Sequence, residues 1–187
     1  MWPMRGTFRI SRGARTETPT VIAEIEEAGA IGKAECVPYP RYGESSDSVL
    51  AEIESVRPAV EDGMSIAALQ DALPAGAARN ALDCALWDLA AKQRGKRAWE
   101  LAGIEPPPPV VSAMTLSLDT PQNMAEAARA SAHLPLLKLK VTGDGDLERV
   151  TAVRGGAPDS RLIVDANEGW RPEMLDSLLP ALAGLGV

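Results

Sequence analysis

A run of four prolines at residues 106–109 constrains the fold more than any other feature of the chain, because it separates two different patterns of secondary structure. Proline fixes φ and lacks a backbone N–H, so such a run interrupts both helices and sheet ladders. Before the run the sequence predicts a hairpin followed by helices, and after it strands and helices alternate. We therefore predict a domain boundary near residues 105–110, with one domain at 1–105 and a second at 106–187.

The stretch before the prolines predicts an α+β domain. Residues 20–26 and 31–37 are predicted to pair as an antiparallel hairpin, since apolar and polar side chains alternate there around a glycine-containing turn. Ser46 or Asp47 is expected to cap a helix that ends before Pro58, and a short helix around residues 66–73 follows it. The strongest helical pattern covers residues 75–94, where alanines and leucines recur on one face and permit close packing.

The stretch after the prolines predicts three strand–helix units, (βα)₃. Its strands are continuously apolar, as expected for a parallel sheet that is covered on both faces. Three units are too few to close a barrel, which takes about eight. They form either a small open sheet or the first part of a larger barrel, and residues 182–187, which resemble a helix end and a turn into a fourth strand, favour the second interpretation. The predicted strands are 111–118, 136–141 and 162–165, and the predicted helices are 121–132, 146–154 and 172–182.

Composition excludes several classes of function. The net charge is -7 and the basic residues are scattered, which argues against binding to nucleic acid or to an anionic membrane surface. No apolar run reaches the roughly 18 residues of a membrane span, and the first residues lack the apolar segment of a signal peptide, so we expect a cytoplasmic protein. The two cysteines, Cys36 and Cys84, have no metal-ligand spacing and are predicted to be reduced thiols.

Two lysines on one predicted strand are the first candidates for catalysis. Lys138 and Lys140 lie two residues apart, so they share one side of the strand while Leu139 faces the other. Two neighbouring ammonium groups repel each other and burial disfavours charge, so we expect the pKa of at least one lysine to fall toward neutrality, which suits a general base. The alternative is a solvent-facing edge strand on which lysines discourage aggregation.

Asp165 is the second candidate, because it ends the next predicted strand. At the carboxyl end of a strand in an α/β fold, its carboxylate is placed where a Mg²⁺ ligand is expected. The alternative is an aspartate that only caps a turn or helix. The loop between the two strands contains Asp144 and Asp146, and we predict that one of them caps the following helix.

Five segments form a joint pattern that is more specific than any one of them. The 25-residue step from Lys140 to Asp165 belongs to this pattern. Together the segments resemble the enolase superfamily, and within it the L-Ala-D/L-Glu dipeptide epimerases. The segments are residues 10–16, 32–45, 77–89, 137–141 and 164–170.

The resemblance implies a fold and an assignment of roles. The fold is an α+β capping domain laid over a modified (β/α)₇β TIM barrel, of which the chain contains (βα)₃, with the loop at residues 41–43 closing over the site. Lys140 matches the base that removes the substrate α-proton, and Lys138 matches the residue that, with Mg²⁺, binds the substrate carboxylate and stabilises the enolate. Asp165 matches a Mg²⁺ ligand.

Two further positions match substrate contacts by the same resemblance. Thr115 corresponds to a substrate-binding position on the first barrel strand, and Arg15 is similar to a position that selects the acidic end of the dipeptide. The expected partners are therefore a small dipeptide substrate and, through an unpaired strand edge, a second copy of the chain. Nucleic acid and membrane are not expected.

The chain departs from the family pattern at its end. The family's other two metal carboxylates and its second lysine base have no counterpart, so we expect an isomerase fragment derived from a Mg²⁺-dependent epimerase of peptidoglycan-derived L-Ala-D-Glu, truncated after the third strand–helix unit and inactive alone. Within the same superfamily the reaction is alternatively that of an N-succinylamino acid racemase, an o-succinylbenzoate synthase or a muconate cycloisomerase. A non-catalytic truncated scaffold is the remaining alternative.

Overall fold

The computed structural model describes residues 1–187, which form two compact units. The N-terminal unit consists of residues 1–2 and 17–108, and the C-terminal unit consists of residues 3–16 and 109–187. The break at residues 108–109 falls inside the proline run. Residues 3–16 pack with the C-terminal unit, although the sequence-based division put them in the domain at 1–105; that division into domains stays a prediction.

The N-terminal unit is built from a hairpin and helices. Strands β3 and β4 pair antiparallel from Val21 opposite Cys36 to Glu27 opposite Ala30, which confirms the predicted hairpin. Its turn places Ala28 and Gly29 at φ 50° and 80°, as a tight hairpin turn requires. The elements with most of their residues in this unit are β3 (Val21–Glu27), β4 (Ala30–Cys36), a 3₁₀ turn (Pro40–Tyr42), α1 (Ser46–Glu61), α2 (Ile66–Ala72), α3 (Ala77–Arg94) and α4 (Ala98–Leu101).

Close backbone approach between β4 and α3 defines the core of this unit. A Cβ added to Gly32 would lie 2.5 Å from the Leu89 Cβ and still closer to the carbonyl oxygen of Ala85, so only glycine fits there. The predicted small-residue face of α3 is buried, as expected. Its buried members are Ala77, Ala78, Ala81, Leu82, Ala85 and Leu89.

One predicted helix end and two predicted helix caps differ from the structure. Helix α1 is capped by Ser45 rather than by Ser46 or Asp47, and it continues through Pro58 to Glu61, with the Pro58 carbonyl accepting the Asp62 N–H at 3.0 Å. Helix α6 (Asp146–Gly156) starts at Asp146, as predicted, but its N-cap residue is Gly145 and no side chain caps it. The predicted capping role of Asp144 or Asp146 is therefore wrong, and the Asp146 carboxylate has other partners, described below.

The C-terminal unit contains a three-stranded parallel sheet in the order β5-β6-β7. The three strand–helix units confirm the predicted alternation, but β5 (Met114–Leu116) covers only three residues of the predicted 111–118, because only these three residues pair with β6. The elements are β5 (Met114–Leu116), α5 (Pro121–Ala130), β6 (Leu136–Lys140), α6 (Asp146–Gly156), β7 (Arg161–Asp165) and α7 (Pro172–Gly184).

One face of the sheet is covered by apolar contacts with the helices. Leu137, Leu139 and Val141 are fully buried and pack in one cluster with Val150 and Val153 of α6. By the alternation of a strand, Lys138 and Lys140 lie on the opposite face. The sequence prediction that the two lysines share a side is therefore confirmed.

The segment 3–16 lies against the first strand–helix connection of the C-terminal unit. Strands β1 (Trp2–Ile10) and β2 (Gly13–Thr18) provide it. The Leu118 N–H donates to the Arg9 carbonyl at 3.1 Å, and the Ser117 hydroxyl donates to the Thr7 carbonyl at 3.1 Å.

Two expectations drawn from composition concern the helices and the cysteines. None of the helices is both long enough and apolar enough to cross a membrane. Both cysteines are free thiols, Cys36 buried and Cys84 exposed.

Candidate active site

A cluster of three charges lies at the carboxyl ends of β6 and β7. The Nζ atoms of Lys138 and Lys140 are each 2.8 Å from the same atom, Oδ2 of Asp165. The parallel register explains this, because Lys140 is directly opposite Asp165 and Lys138 is one step earlier on the same face. The structure thus brings together the three residues that the sequence singled out.

The carboxylate sits between two cations that differ in exposure. Lys140 is only 7% exposed, whereas Lys138 and Asp165 are half-buried. Hydrogen bonds from Lys138, then from Lys140, hold the pKa of Asp165 well below its usual range, while burial acts in the opposite direction. The two ammonium groups are therefore not left facing each other unpaired, as the sequence argument assumed, and the cluster carries one net positive charge.

The cluster is further fixed by the backbone after β7. The Asn167 N–H donates to Asp165 Oδ1 at 3.0 Å, so both carboxylate oxygens accept hydrogen bonds. Asn167 and Glu168 have φ values of 47° and 67°, in the left-handed region that non-glycine residues seldom adopt. Residues in such conformations persist where the surrounding contacts hold them.

Contacts from the turn between β1 and β2 hold this strained segment. The Ser11 hydroxyl donates to the Asn167 carbonyl at 2.9 Å, and Arg12 pairs with Glu168 at 3.0 Å. The turn between β1 and β2 therefore takes part in shaping the loop that follows Asp165.

Phe8, the only phenylalanine of the chain, lies beside the cluster. The Lys140 Nζ is 5.8 Å from the centre of its ring, and the Arg15 guanidinium carbon is 5.7 Å from the same centre. Both separations are within cation–π range. Arg15 is thus brought next to the lysine cluster through Phe8. Sequence reasoning missed Phe8, because the alternation around it is compatible with a strand but does not indicate which distant residues its ring contacts.

Thr115 completes the set of predicted site residues. It lies on β5 directly opposite Lys138 and is half-buried. In-register neighbours on parallel strands point to the same face, so Thr115, Lys138 and Lys140 share one face of the sheet. The loop at residues 41–43 belongs to the N-terminal unit, and its predicted closure over the site stays a prediction.

The oxygen atoms of Asp165 and Asn167 are the candidate Mg²⁺ ligands in this part of the chain. Mg²⁺ prefers oxygen ligands in octahedral geometry. Asp165 supplies a carboxylate, and Oδ1 of Asn167 is a buried amide oxygen with no hydrogen-bond partner. These donors fit the chemistry of the ion, but no group of three or more His, Cys, Asp or Glu side chains is gathered in the chain.

Comparison with known families identifies the family to which the chain belongs. The N-terminal domain model of the mandelate racemase / muconate lactonizing enzyme family matches residues 1–103, more than half of the sequence. The chain is therefore a member of the mandelate racemase / muconate lactonizing enzyme family. This finding confirms the resemblance to the enolase superfamily.

Individual relatives define the kind of enzyme that the chain is similar to. It is 50% identical to the L-Ala-D/L-Glu epimerase of Escherichia coli K12 over 100% of this chain and 59% of that protein. It is 40% identical to the N-acetyl-D-glutamate racemase of a Pseudoalteromonas species over 89% of this chain and 53% of that protein. The chain thus spans somewhat more than half the length of these relatives, which are isomerases.

A solved structure agrees closely with the fold. An enolase family member from Agrobacterium tumefaciens with homology to dipeptide epimerases, which holds sodium and L-Ala-L-Glu, superposes with a TM-score of 0.94 at 45% identity over 100% of this chain and 57% of that one. The dipeptide epimerase of Enterococcus faecalis, complexed with Mg and L-Leu-L-Tyr, superposes at 0.88 with 28% identity over 100% of this chain and 56% of that one.

Proposed function

We propose that these residues serve in a dipeptide epimerase that acts on L-Ala-D/L-Glu, with the dipeptide coming from peptidoglycan. The observation that carries the proposal is the Lys138–Asp165–Lys140 cluster, which sits on one face of a sheet in a chain 50% identical to an L-Ala-D/L-Glu epimerase. Epimerisation at an α-carbon requires removal of a proton next to a carboxylate. A basic amine and fixed positive charge are the groups this step needs.

Lys140 is proposed as the base on one face of the substrate. Its Nζ is nearly buried and is held by Asp165 and by the ring of Phe8, so its position is well defined before substrate binds. Lys140 first releases the proton of its ammonium group to solvent; as a free amine it then takes the proton from the α-carbon and becomes an ammonium ion again, and the electron pair of the C–H bond moves into the enolate. Return of a proton from a second acid, such as water, to the opposite face of the α-carbon gives the other epimer.

Lys138 and Arg15 are proposed to recognise the two acidic ends of the dipeptide. Lys138 is half-buried beside Lys140, so its ammonium group can neutralise the carboxylate next to the reacting carbon and the charge that develops there. The Arg15 guanidinium carbon lies 5.7 Å from the centre of the Phe8 ring, and the guanidinium suits bidentate binding of the side-chain carboxylate of glutamate. Thr115 supplies a hydroxyl on the same face as Lys138.

Asp165 is the proposed Mg²⁺ ligand in this chain, with the Asn167 amide oxygen beside it as an available acceptor. Bound Mg²⁺ would supply positive charge for the oxygens of the enolate. Because Oδ2 of Asp165 already accepts from two ammonium groups, the ion competes with Lys138 and Lys140 for that oxygen. The cation and the lysines are therefore expected to influence each other's binding.

The three strand–helix units are proposed to be (βα)₃ of a modified TIM barrel. Support comes from the parallel order β5-β6-β7, from the burial of one sheet face against helices, and from charged residues at the carboxyl ends of the strands. This is the end at which TIM barrels carry their sites.

A second candidate is racemisation of an N-acylated glutamate. The observation that favours it is the 40% identity to N-acetyl-D-glutamate racemase. L-Ala-Glu and N-acetylglutamate share the glutamate carboxylates and an acylated amine, and differ only in the acyl group. The same lysines and Arg15 would serve either substrate.

Proton exchange and binding in D₂O test both functions. The 187-residue chain is incubated with Mg²⁺ and L-Ala-L-Glu or N-acetyl-D-glutamate, and NMR follows both loss of the substrate α-proton signal and shifts of the Lys138, Arg15 and Thr115 resonances. We expect the dipeptide to shift those resonances, and any exchange that occurs to be lost in Lys140→Ala.

Lys96→Ala, which removes an exposed lysine of the N-terminal unit, is the matched control and should behave as the unsubstituted chain does. The proposal fails if neither substrate shifts the site resonances, or if exchange is detected and is as fast in Lys140→Ala as in Lys96→Ala.

A further inference from the structure

The most completely buried charge in the chain is Asp146, the first residue of α6, which is 1% exposed. Its carboxylate accepts hydrogen bonds from four groups. The N–H groups of Thr142 and Gly143 donate at 3.0 and 2.6 Å, the Trp170 indole N–H donates at 2.7 Å, and the Arg149 guanidinium donates at 3.1 Å. A buried carboxylate with this many donors is fixed in one orientation.

These donors come from the loops that follow both strands of the candidate active site. Thr142 and Gly143 follow β6 almost directly, and β6 ends at Lys140. Trp170 lies in the loop that follows β7, which ends at Asp165. Asp146 therefore connects the backbone after Lys140 to the segment after Asp165 without touching either residue itself.

The two loops also approach each other at their backbones. A Cβ added to Gly169 would lie 2.8 Å from the Thr142 carbonyl oxygen, so the loop after β7 passes directly over the loop after β6. The Val141 N–H donates to the Asp165 carbonyl at 3.2 Å in the same region. A change in the hydrogen bonds of Asp146 would thus be transmitted to the ends of both strands.

Arg149 extends this connection to the loop after β5. Its Nε donates to the Asp119 carbonyl at 3.0 Å, and its Nη1 donates to both the Asp144 carbonyl and the Asp146 carboxylate at 2.6 and 3.1 Å. The ion pair of Asp146 and Arg149 therefore links all three loops at the carboxyl ends of the sheet. The start of helix α6 does not itself require the hydrogen bonds from Arg149 to Asp119 and Asp144.

We propose that Asp146 is a positioning residue that sets the distance and orientation between Lys140 and Asp165. The importance of that distance for catalysis rests on the proposed function, but the positioning itself does not. Asp146 acts through the backbone of residues 141–143 and through the indole of Trp170. It makes no contact with substrate-binding residues and takes no part in proton transfer.

The test compares Asp146→Asn with Asp144→Asn in the full chain. The two substitutions remove the same charge from the same loop, but Asp144 is exposed whereas Asp146 is buried. An asparagine at 146 places an NH₂ group where a carboxylate oxygen had accepted hydrogen bonds from backbone N–H groups. Because those N–H groups lose an acceptor, we expect amide exchange at Thr142 and Gly143 to rise by roughly tenfold or more. The decisive readout is the Lys140 ammonium signal in ¹⁵N–¹H spectra, which reports the contact with Asp165.

We expect Asp146→Asn to shift or broaden the Lys140 signal and Asp144→Asn to leave it in place. If Asp146→Asn accelerates amide exchange but the Lys140 signal is unchanged, Asp146 only holds the loop and the proposal is overturned. An unchanged signal together with unchanged amide exchange overturns it as well.

Trp170→Phe keeps the proposal testable if Asp146→Asn does not fold. This substitution retains an aromatic ring but removes the indole N–H that donates to Asp146. A smaller shift of the Lys140 signal in the same sense is expected, and no shift contradicts the proposal. Because none of these readouts requires turnover, a failure of substrate proton exchange would count against the proposed function and not against the role of Asp146.

Discussion

The two units of the chain differ in what they bury. The N-terminal unit has an apolar core of small and branched side chains, and no polar or charged residue is buried in it. Every buried polar or charged residue lies in the C-terminal unit: Ser131, Lys140, Asp146 and Ser160. Burying charge is costly unless it is paired, so it is retained where it serves a specific purpose. The N-terminal unit therefore buries apolar groups only, whereas the C-terminal unit also buries polar and charged groups.

The largest effect on stability is expected from the apolar layer beneath the lysines. Leu137 is fully buried on the face of β6 opposite Lys138, so Leu137→Ala should lower the free energy of unfolding by about 3 kcal/mol through lost burial and a cavity. Chemical denaturation measures it. Leu147→Ala, at a leucine 39% exposed, is the control and should change it by less than about 1 kcal/mol. Similar losses in both would show that the leucine layer is not what holds this unit together.

The close contact in the N-terminal unit gives the next largest effect. Gly32→Ala forces a methyl group against the backbone of α3 and should cost about 2 kcal/mol. Gly155→Ala is the matched control, because that helical glycine has open space around its Cβ position, and alanine should be neutral or slightly stabilising there. Thermal or urea unfolding compares the two. A Gly32→Ala chain as stable as the control would contradict the proposed close packing.

The charge cluster should make the C-terminal unit sensitive to acid. The folded-state pKa of Asp165 lies below its unfolded value of about 3.9, so the unfolded chain binds more protons between the two values and stability rises with pH there. The contribution is therefore present above about pH 4 and is lost as the pH falls through the lower folded-state value.

Asp165→Asn isolates this contribution from those of other carboxylates. The variant should be less stable than the unsubstituted chain at pH 7, and the difference should shrink as the pH falls below about 4. Urea unfolding at a series of pH values measures it. A stability difference that stays constant from pH 7 to pH 2 would show that the lysine contacts do not act through the charge of Asp165.

The smallest effect on stability is expected at the ion pair between Arg12, in the turn between β1 and β2, and Glu168. Arg12 and Glu168 are partly exposed, so Glu168→Gln should lower stability by less than about 1 kcal/mol, and added salt should reduce the difference further. Unfolding at low and high ionic strength checks this. A loss comparable with that of Leu137→Ala would mean that the left-handed segment at residues 167–168 contributes far more than surface electrostatics.

Local patterns were sufficient to predict most of the elements. The β3–β4 hairpin, the buried face of α3 and the three strand–helix units follow from apolar periodicity, which is a property of neighbouring residues. The position of Lys138, Lys140 and Asp165 at adjacent strand ends could also be predicted, since parallel strands align their carboxyl ends. The carboxylate shared between the two lysines could not, because it depends on the register between β6 and β7.

The remaining features depend on residues that are distant in sequence. In residues 3–16, Met4, Phe8 and Ile10 alternate with polar residues, which is compatible with a strand, but nothing in their order indicates that Ser11 donates to Asn167 or that Phe8 lies beside Lys140. Asp146 resembles a helix cap in the sequence, yet its carboxylate also accepts from Trp170, 24 residues away. Such contacts are chosen by packing between elements and leave no periodic signal in the sequence.

The sequence by itself determined the elements, the strand-end chemistry and the family, because backbone propensity, apolar periodicity and the residues of a motif are all local. The tertiary structure alone decided which charges share a carboxylate, which aromatic ring covers Lys140, and which buried aspartate joins the loops. The physical reason is that a hydrogen bond or ion pair in a buried site requires a particular distance and direction between groups, and only the folded chain fixes these.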